Sequence, residues 1–259
     1  MTNQLALKSE NALADIPMDI ADIEKDARLG GDLGMRDIAI PYIYILQTNS
    51  PQVNPDNDKY IEGASAGKFL LTVRDKVFEG RVNGVTVVLC YYERKIMEWI
   101  DRDKGGGLVG SYPAEDPIMK QAKQNERGQW ILPNGHMLID TAYHYVLVQD
   151  PETMGWTQAI MPMKSTALKV SRKLNSVVAT AVIPGTTKMA PRFLYKYNMT
   201  TVKEQKDTNV WSSPCFLQDG MVTKEVYDQA KAYAQIAAQN LLQRSPEAVE
   251  HVNEDAVPF

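Results

Sequence analysis

Cysteine is scarce in this chain: Cys90 and Cys215 are its two thiols among 259 residues, and histidine is limited to His136, His144 and His251. Two cysteines cannot build a disulfide framework, and neither they nor the histidines have metal-ligand spacing, which excludes a zinc-organised domain. Cys90 lies in VTVVLCYY and reads as a small buried hydrophobe. Residues 1–20 lack a basic start followed by an apolar block, and no apolar run is long enough to span a bilayer. A reducing cytoplasm fits these absences. Phosphate loops are missing too: GASAGKF at 63–69 has three residues between its glycines rather than four, and Phe69 stands where a metal-binding hydroxyl belongs. GGG at 105–107 lacks the strand-loop-helix context of a dinucleotide site, so no cofactor is implied. Zinc-finger spacing, a basic zipper and a helix-turn-helix are likewise absent.

What is present suffices for a proper core, with 44% hydrophobic residues in a length suited to one large domain or two small ones. The net charge of -4 and a pI near 5.5 would, for the whole chain, count against nucleic acid. The distribution says otherwise. Residues 10–37 hold eight acids against Lys25, Arg28 and Arg36, and after Arg244 four acids meet no base. Between them Lys164, Lys169, Arg172, Lys173, Lys188, Arg192, Lys196, Lys203 and Lys206 face only Glu204. Global charge hides a basic middle.

Residues 1–37, punctuated by RLGGDLG, read as an acidic disordered arm, 38–244 as the folded domain and 245–259 as a flexible acidic tail. KFLLTV (68–73), GVTVVLCYY (84–92) and KIMEWI (95–100) are rich in β-branched and aromatic residues and are predicted strands, with Glu93 at a turn between the last two. Residues 101–136 form a protruding flap: Asp116-Pro117 starts a short helix through Gln124, and a hairpin turns on Pro133-Asn134-Gly135. After the strand WTQAIMPM (156–163), Ala167, Val170, Leu174, Val177, Val178 and Ala181 recur at helical spacing. They predict a helix over 165–182, capped by Ser165 and stopped by Pro184-Gly185. Two further strands, RFLYKYNMTTV (192–202) and NVWSSPCFL (209–217), precede a helix from Thr223 to Arg244 with Val226, Ala230, Tyr233, Ala237 and Leu241 on one side. This order predicts an α+β, mainly β domain, an OB-type barrel with an inserted hairpin flap and an extra C-terminal helix.

The predicted helix at 165–182 sets Lys169, Arg172, Lys173 and Ser176 opposite its apolar stripe, with Lys164 at its start. A merely solvated face interleaves both signs, and no acid is interleaved here. In PRFLYKYNMTTV, Phe193, Tyr195, Tyr197 and Met199 share one face, and Arg192 and Lys196 the other. If the aromatic face is core, the opposite one presents cations to phosphates; if it is open, its rings stack on bases. Tyr91, Arg94, Lys95 and Trp99 in CYYERKIMEWIDRDK, and Trp211 further on, repeat the mixture of rings and cations. Cations track a backbone and flat rings accept any base, which suits sequence-tolerant binding of unpaired strands. Asp75, Glu93 and Lys95 imitate the acid-then-E-x-K pattern of magnesium-dependent nucleases and form the enzymatic alternative.

The chain ends in NEDAVPF. A terminal ring offers a plug for a small apolar pocket and its carboxylate a partner for a basic rim, while Pro258 discourages a helix. This stretch resembles the acidic C-terminal tip of bacterial single-stranded DNA-binding proteins: Glu254 and Asp255 match its acids, Val257 its aliphatic residue, Pro258 and Phe259 its terminal pair. Asn253 and Ala256 interrupt the usual acidic run. The match covers about seven residues, and the longer body without a Gly/Gln-rich linker looks more like a phage-encoded counterpart. The resemblance implies recruitment of replication and recombination proteins through the tip, and competition between tip and DNA for the basic surface.

Taken together, the residues point to a non-enzymatic single-stranded DNA-binding protein of a phage-like replication or recombination module, compatible with a homo-oligomer and without a membrane partner. Lys164, Lys169, Arg172, Lys173, Arg192 and Lys196 are the phosphate contacts. Tyr91, Trp99, Tyr195, Tyr197 and Trp211 are the stacking candidates, flanked by Arg94 and Lys95. The alternatives are a strand-annealing protein, the magnesium-dependent nuclease, and a decoy that occupies host tip-binding enzymes without touching DNA.

Overall fold

The computed structural model describes Gly31 and residues 39–239. The readings of the acidic arm, of the last helix beyond Gln239, and of the tail with Glu254, Asp255, Val257, Pro258 and Phe259 fall outside the described residues. In chain order the strands before the first helix are β1 (Ile43–Ile45), β2 (Phe69–Leu71), β3 (Lys76–Phe78), β4 (Val85–Trp99), β5 (Leu108–Pro113), β6 (Lys123–Gln124), β7 (Trp130–Ile131), β8 (Met137–Gln149) and β9 (Trp156–Lys164). They are followed by α1 (Ala167–Ala179), β10 (Tyr195–Lys206), β11 (Asn209–Met221) and α2 (Lys224–Gln239).

Strand β4 is the spine. β8 pairs along it from Val87 to Trp99, while its other edge takes β10 at Val85–Val88 and β5 at Lys95–Trp99. β9 adds to β8, β11 to β10, and the short β6 and β7 extend the sheet at the flap. The result is mainly β, a strongly curled half-barrel sheet with a C-terminal helix, compatible with an OB-like barrel. The small β1-β2-β3 sheet spans the gap. Tyr42 bridges Ile160 of β9. Opposite, the Thr201 N–H donates to the Gly80 carbonyl at 2.9 Å and the Thr201 hydroxyl to the Gly67 carbonyl at 2.6 Å. The Gln47 amide brackets Ser212, donating to its carbonyl at 3.0 Å and accepting from its N–H at 2.9 Å.

Alternation decides where the core sits. Val85, Val87 and Leu89 face inward with Val146, Met161, Met163, Tyr195, Tyr197 and Met199, and α1 closes this interior with Leu174 and Val178. Val88, Cys90, Tyr143, Tyr145 and Leu147 face the other way, under Val226, Ala230, Tyr233 and Ala237 of α2. The predicted stripe of the last helix is therefore its buried face as far as Ala237. A smaller core of Ile96, Ile118, Ala122, Leu132 and Leu138 lies under the flap.

Four expectations change. Residues 84–100 form one strand with a bulge between Leu89 and Tyr91, not two strands around a turn. Glu93 stays in the ladder because the Tyr145 hydroxyl donates to it at 3.0 Å, and Arg94 because Asp140 across the sheet pairs with it. The predicted helix at 117–124 is a 3-10 turn ending at Gln121, with the Asp116 side chain accepting from the Ile118 N–H at 2.9 Å. α1 starts at Ala167 with Thr166 at its N-cap and no side-chain cap bond, since Ser165 adopts φ 52° in the preceding turn. Finally, the buried stripe of α1 is Ser171, Leu174 and Val178, whereas Val177 is exposed; a polar partner below, His144, turns the helix toward its serine.

Candidate nucleic-acid interface

Helix α1 lies over the barrel interior on a polar anchor. The Ser171 hydroxyl meets His144 Nε2 at 2.8 Å, His144 Nδ1 meets Arg192 Nη2 at 2.8 Å, and Arg192 Nη1 donates to Asn175 Oδ1 at 2.9 Å. The Arg192 guanidinium also sits 5.4 Å from the centre of the Tyr92 ring, within cation–π range. Burial, reinforced by the Arg192 charge, holds the His144 imidazole down to about 3, so it is neutral and can accept from the guanidinium. Burial also lowers Arg192, to about 10, which leaves it charged. Ser171 and Asn175 point down into this network, and the opposite side of α1 carries Lys169, Arg172 and Lys173, all exposed. None of these three pairs with a carboxylate of the described residues.

The other predicted contacts are dispersed. Arg192 does not present itself to phosphates: Pro191 to Leu194 form a turn before β10, strand alternation does not apply there, and the side chain folds in under α1. Lys196 is on the outer face of β10, 3.3 Å from Asp219. Arg94 is paired with Asp140, and Lys95 lies 3.7 Å from Glu93. Lys164 is half-buried at the end of β9. The aromatic side of β10 is core: Tyr195 and Tyr197 are 9% and 2% exposed, and Trp99 4%. These three rings are not available to bases. Tyr91 packs edge-on against Tyr145 at 5.6 Å, and the Trp211 indole N–H donates to the Ser213 hydroxyl at 3.1 Å; both rings are half-buried.

Past α1 the chain makes a tight hairpin that sequence reasoning read only as a helix stop. The Ile183 N–H donates to the Lys188 carbonyl at 2.9 Å, the Thr186 N–H to the Ile183 carbonyl at 3.0 Å, and Val182 bridges Met189. Gly185 adopts φ 74°, which with Pro184 before it is the signature of a type II turn. Pro-Gly between Val182 and Met189 was the signal for this hairpin.

Other polar clusters suit different work. Glu98, buried, accepts from the Tyr112 hydroxyl at 2.5 Å and meets His136 Nδ1 at 2.6 Å, fastening the flap to β4. Burial raises the Glu98 carboxyl, but the hydrogen bonds from Tyr112, His136 and Asn134 outweigh it and hold the group below its usual range. A shallow cleft of about 280 Å³ on the flap is lined by Asp101, Asn125, Glu126, Arg127 and Gln129, two acids against one base and so a poor seat for a phosphate. Asp75 lies in the β2–β3 turn and Glu93 in the large sheet, and no group of metal-capable side chains gathers among the described residues.

Among the described residues no helix is long and apolar enough to cross a membrane. No curated protein and no solved structure matches the chain. Residues 8–242 match the family described as Pam3 phage gp34-like protein, a span that takes in the curled sheet, its closing β1–β3 sheet, α1 with its anchor, and α2. On that match the chain belongs to the Pam3 phage gp34-like family.

Proposed function

We propose that the protein is a non-enzymatic, sequence-tolerant single-stranded DNA-binding protein of a phage-like replication or recombination module. The observation that carries this reading is the outer face of α1, where Lys169, Arg172 and Lys173 stand exposed, with no carboxylate partner among the described residues, on a helix pinned from beneath by Ser171 and Asn175. Three cations held in fixed register by a rigid element form a phosphate-tracking surface, and without an acid among them nothing on the helix competes for their charge. In this reading segment 251–259, with Glu254, Asp255, Val257, Pro258 and Phe259, recruits replication and recombination proteins.

Fluorescence anisotropy of labelled oligothymidine, titrated against salt, tests the proposal. A single strand releases about 0.7 counterion per neutralised phosphate, so three contacts give a log–log slope of about −2, and six would give about −4. The combined variant Lys169→Glu, Arg172→Glu, Lys173→Glu loses binding at low salt. Wild-type protein that ignores oligothymidine, or a triple variant that binds as before, would falsify the reading. Tryptophan quenching is a weaker readout because Trp99 is buried.

A further inference from the structure

We propose that Val182 and Met189, at the C-terminal end of α1, form a base-contacting wedge in the same single-strand site. The inference rests on the reading of α1 as the phosphate-tracking face. Phosphate contacts alone hold a strand by its backbone, and three of the rings expected to meet bases are buried. An exposed apolar surface next to α1 can supply the base contact that those buried rings cannot.

Lys169, Lys173 and Val177 follow one another at i, i+4 and i+8, a single stripe about 12 Å long that turns from cationic to apolar toward the end of the helix. Val177 is 43% exposed. Immediately beyond, Val182 and Met189 are 46% and 65% exposed and bridge each other across the hairpin, with the exposed Lys188 beside them. Single exposed apolar side chains are ordinary on a protein surface. Three in succession at the end of an acid-free cationic stripe match a polyanion that also carries apolar bases.

The hairpin is rigid before any ligand arrives. Besides its own turn, the Ala190 N–H donates to the Ala181 carbonyl at 2.9 Å, and the buried Tyr195 hydroxyl donates to the Val182 carbonyl at 2.6 Å from inside the barrel. Binding thus has little backbone left to order. Aliphatic and methionine side chains are used as wedges between bases in other DNA complexes. The unbranched thioether of Met189 adapts to any base, as sequence-tolerant binding requires.

The test separates charge from apolar contact. In the salt titration, Val182→Ser combined with Met189→Ser leaves the slope unchanged and weakens the affinity extrapolated to 1 M salt by about tenfold. Leu217→Ser, at a position 71% exposed on the outer face of β11, changes neither quantity. Met189→Ser alone, at the more exposed position, gives a smaller loss of the same kind, and thermal melting confirms that the variants keep the fold. An unchanged extrapolated affinity in the double variant, or an equal loss from Leu217→Ser, overturns the wedge while α1 still binds. Wild-type protein without affinity for oligothymidine overturns both readings together.

Discussion

His144 has Arg192 at one ring nitrogen and Ser171 at the other, so a second positive charge there would face the first. Its folded pKa, near 3 through burial and then the Arg192 charge, lies below the value of about 6.5 for an unfolded histidine. As pH falls the unfolded chain therefore takes up the proton first, and stability is lost through the window from about 6.5 toward 3. At about 1.4 kcal/mol per unit, the loss between pH 7 and pH 5 is about 2 kcal/mol. Urea melts at both values measure it, and His144→Gln flattens the dependence; equal losses in variant and wild type would mean that the imidazole titrates normally in the fold. The sequence carries no mark of the partners of His144, which lie 27 and 48 residues further on at Ser171 and Arg192. It misdirected Arg192, since parity along a strand says nothing about a residue in the turn before it.

Elements were legible where periodicity was strong. α2 buries the stripe that its spacing predicts as far as Ala237, β9, β10 and β11 fall where β-branched and aromatic runs placed them, and β8 follows the hairpin turn at Pro133-Asn134-Gly135. The single β4 was not legible: Glu93-Arg94-Lys95 looks like a turn until Tyr145 and Asp140, about 50 residues away, supply partners. Pro214 on β11 shows the same limit. Its ring nitrogen points away from β10, because its partner Thr201 sends its own N–H outward to Gly80. Pro214 is buried, so the donorless position lies on a covered stretch of β11 beside the Gln47 contact, and only a parted edge would offer a second strand no donor there. Pro214→Thr restores that donor, and light scattering of the variant shows concentration-dependent self-association beyond that of the wild type.

For the whole molecule, the strands could be read in sequence but not the way the sheet closes. The bonds that span the gap join Gln47 to Ser212 and Gly67 to Thr201, separations of 165 and 134 residues that leave no periodic trace. Gly80 is the tightest point: a Cβ there would stand 1.8 Å from the Gly67 carbonyl oxygen and 2.7 Å from the Thr201 hydroxyl, both part of the closure. Gly80→Ala forces those strands apart and costs about 2–3 kcal/mol, read as a lower urea midpoint, whereas Gly63→Ala, with open space around its Cβ position and only its positive φ to strain, costs less. The strands of the half-barrel are joined by full ladders, whereas its closing sheet is held at both borders by isolated bonds. Parting the Gln47 bonds to Ser212 would bare β11, whose Pro214 two residues on supplies no donor to a foreign strand. A sparse closure and a guard against misassembly thus fall on one strand.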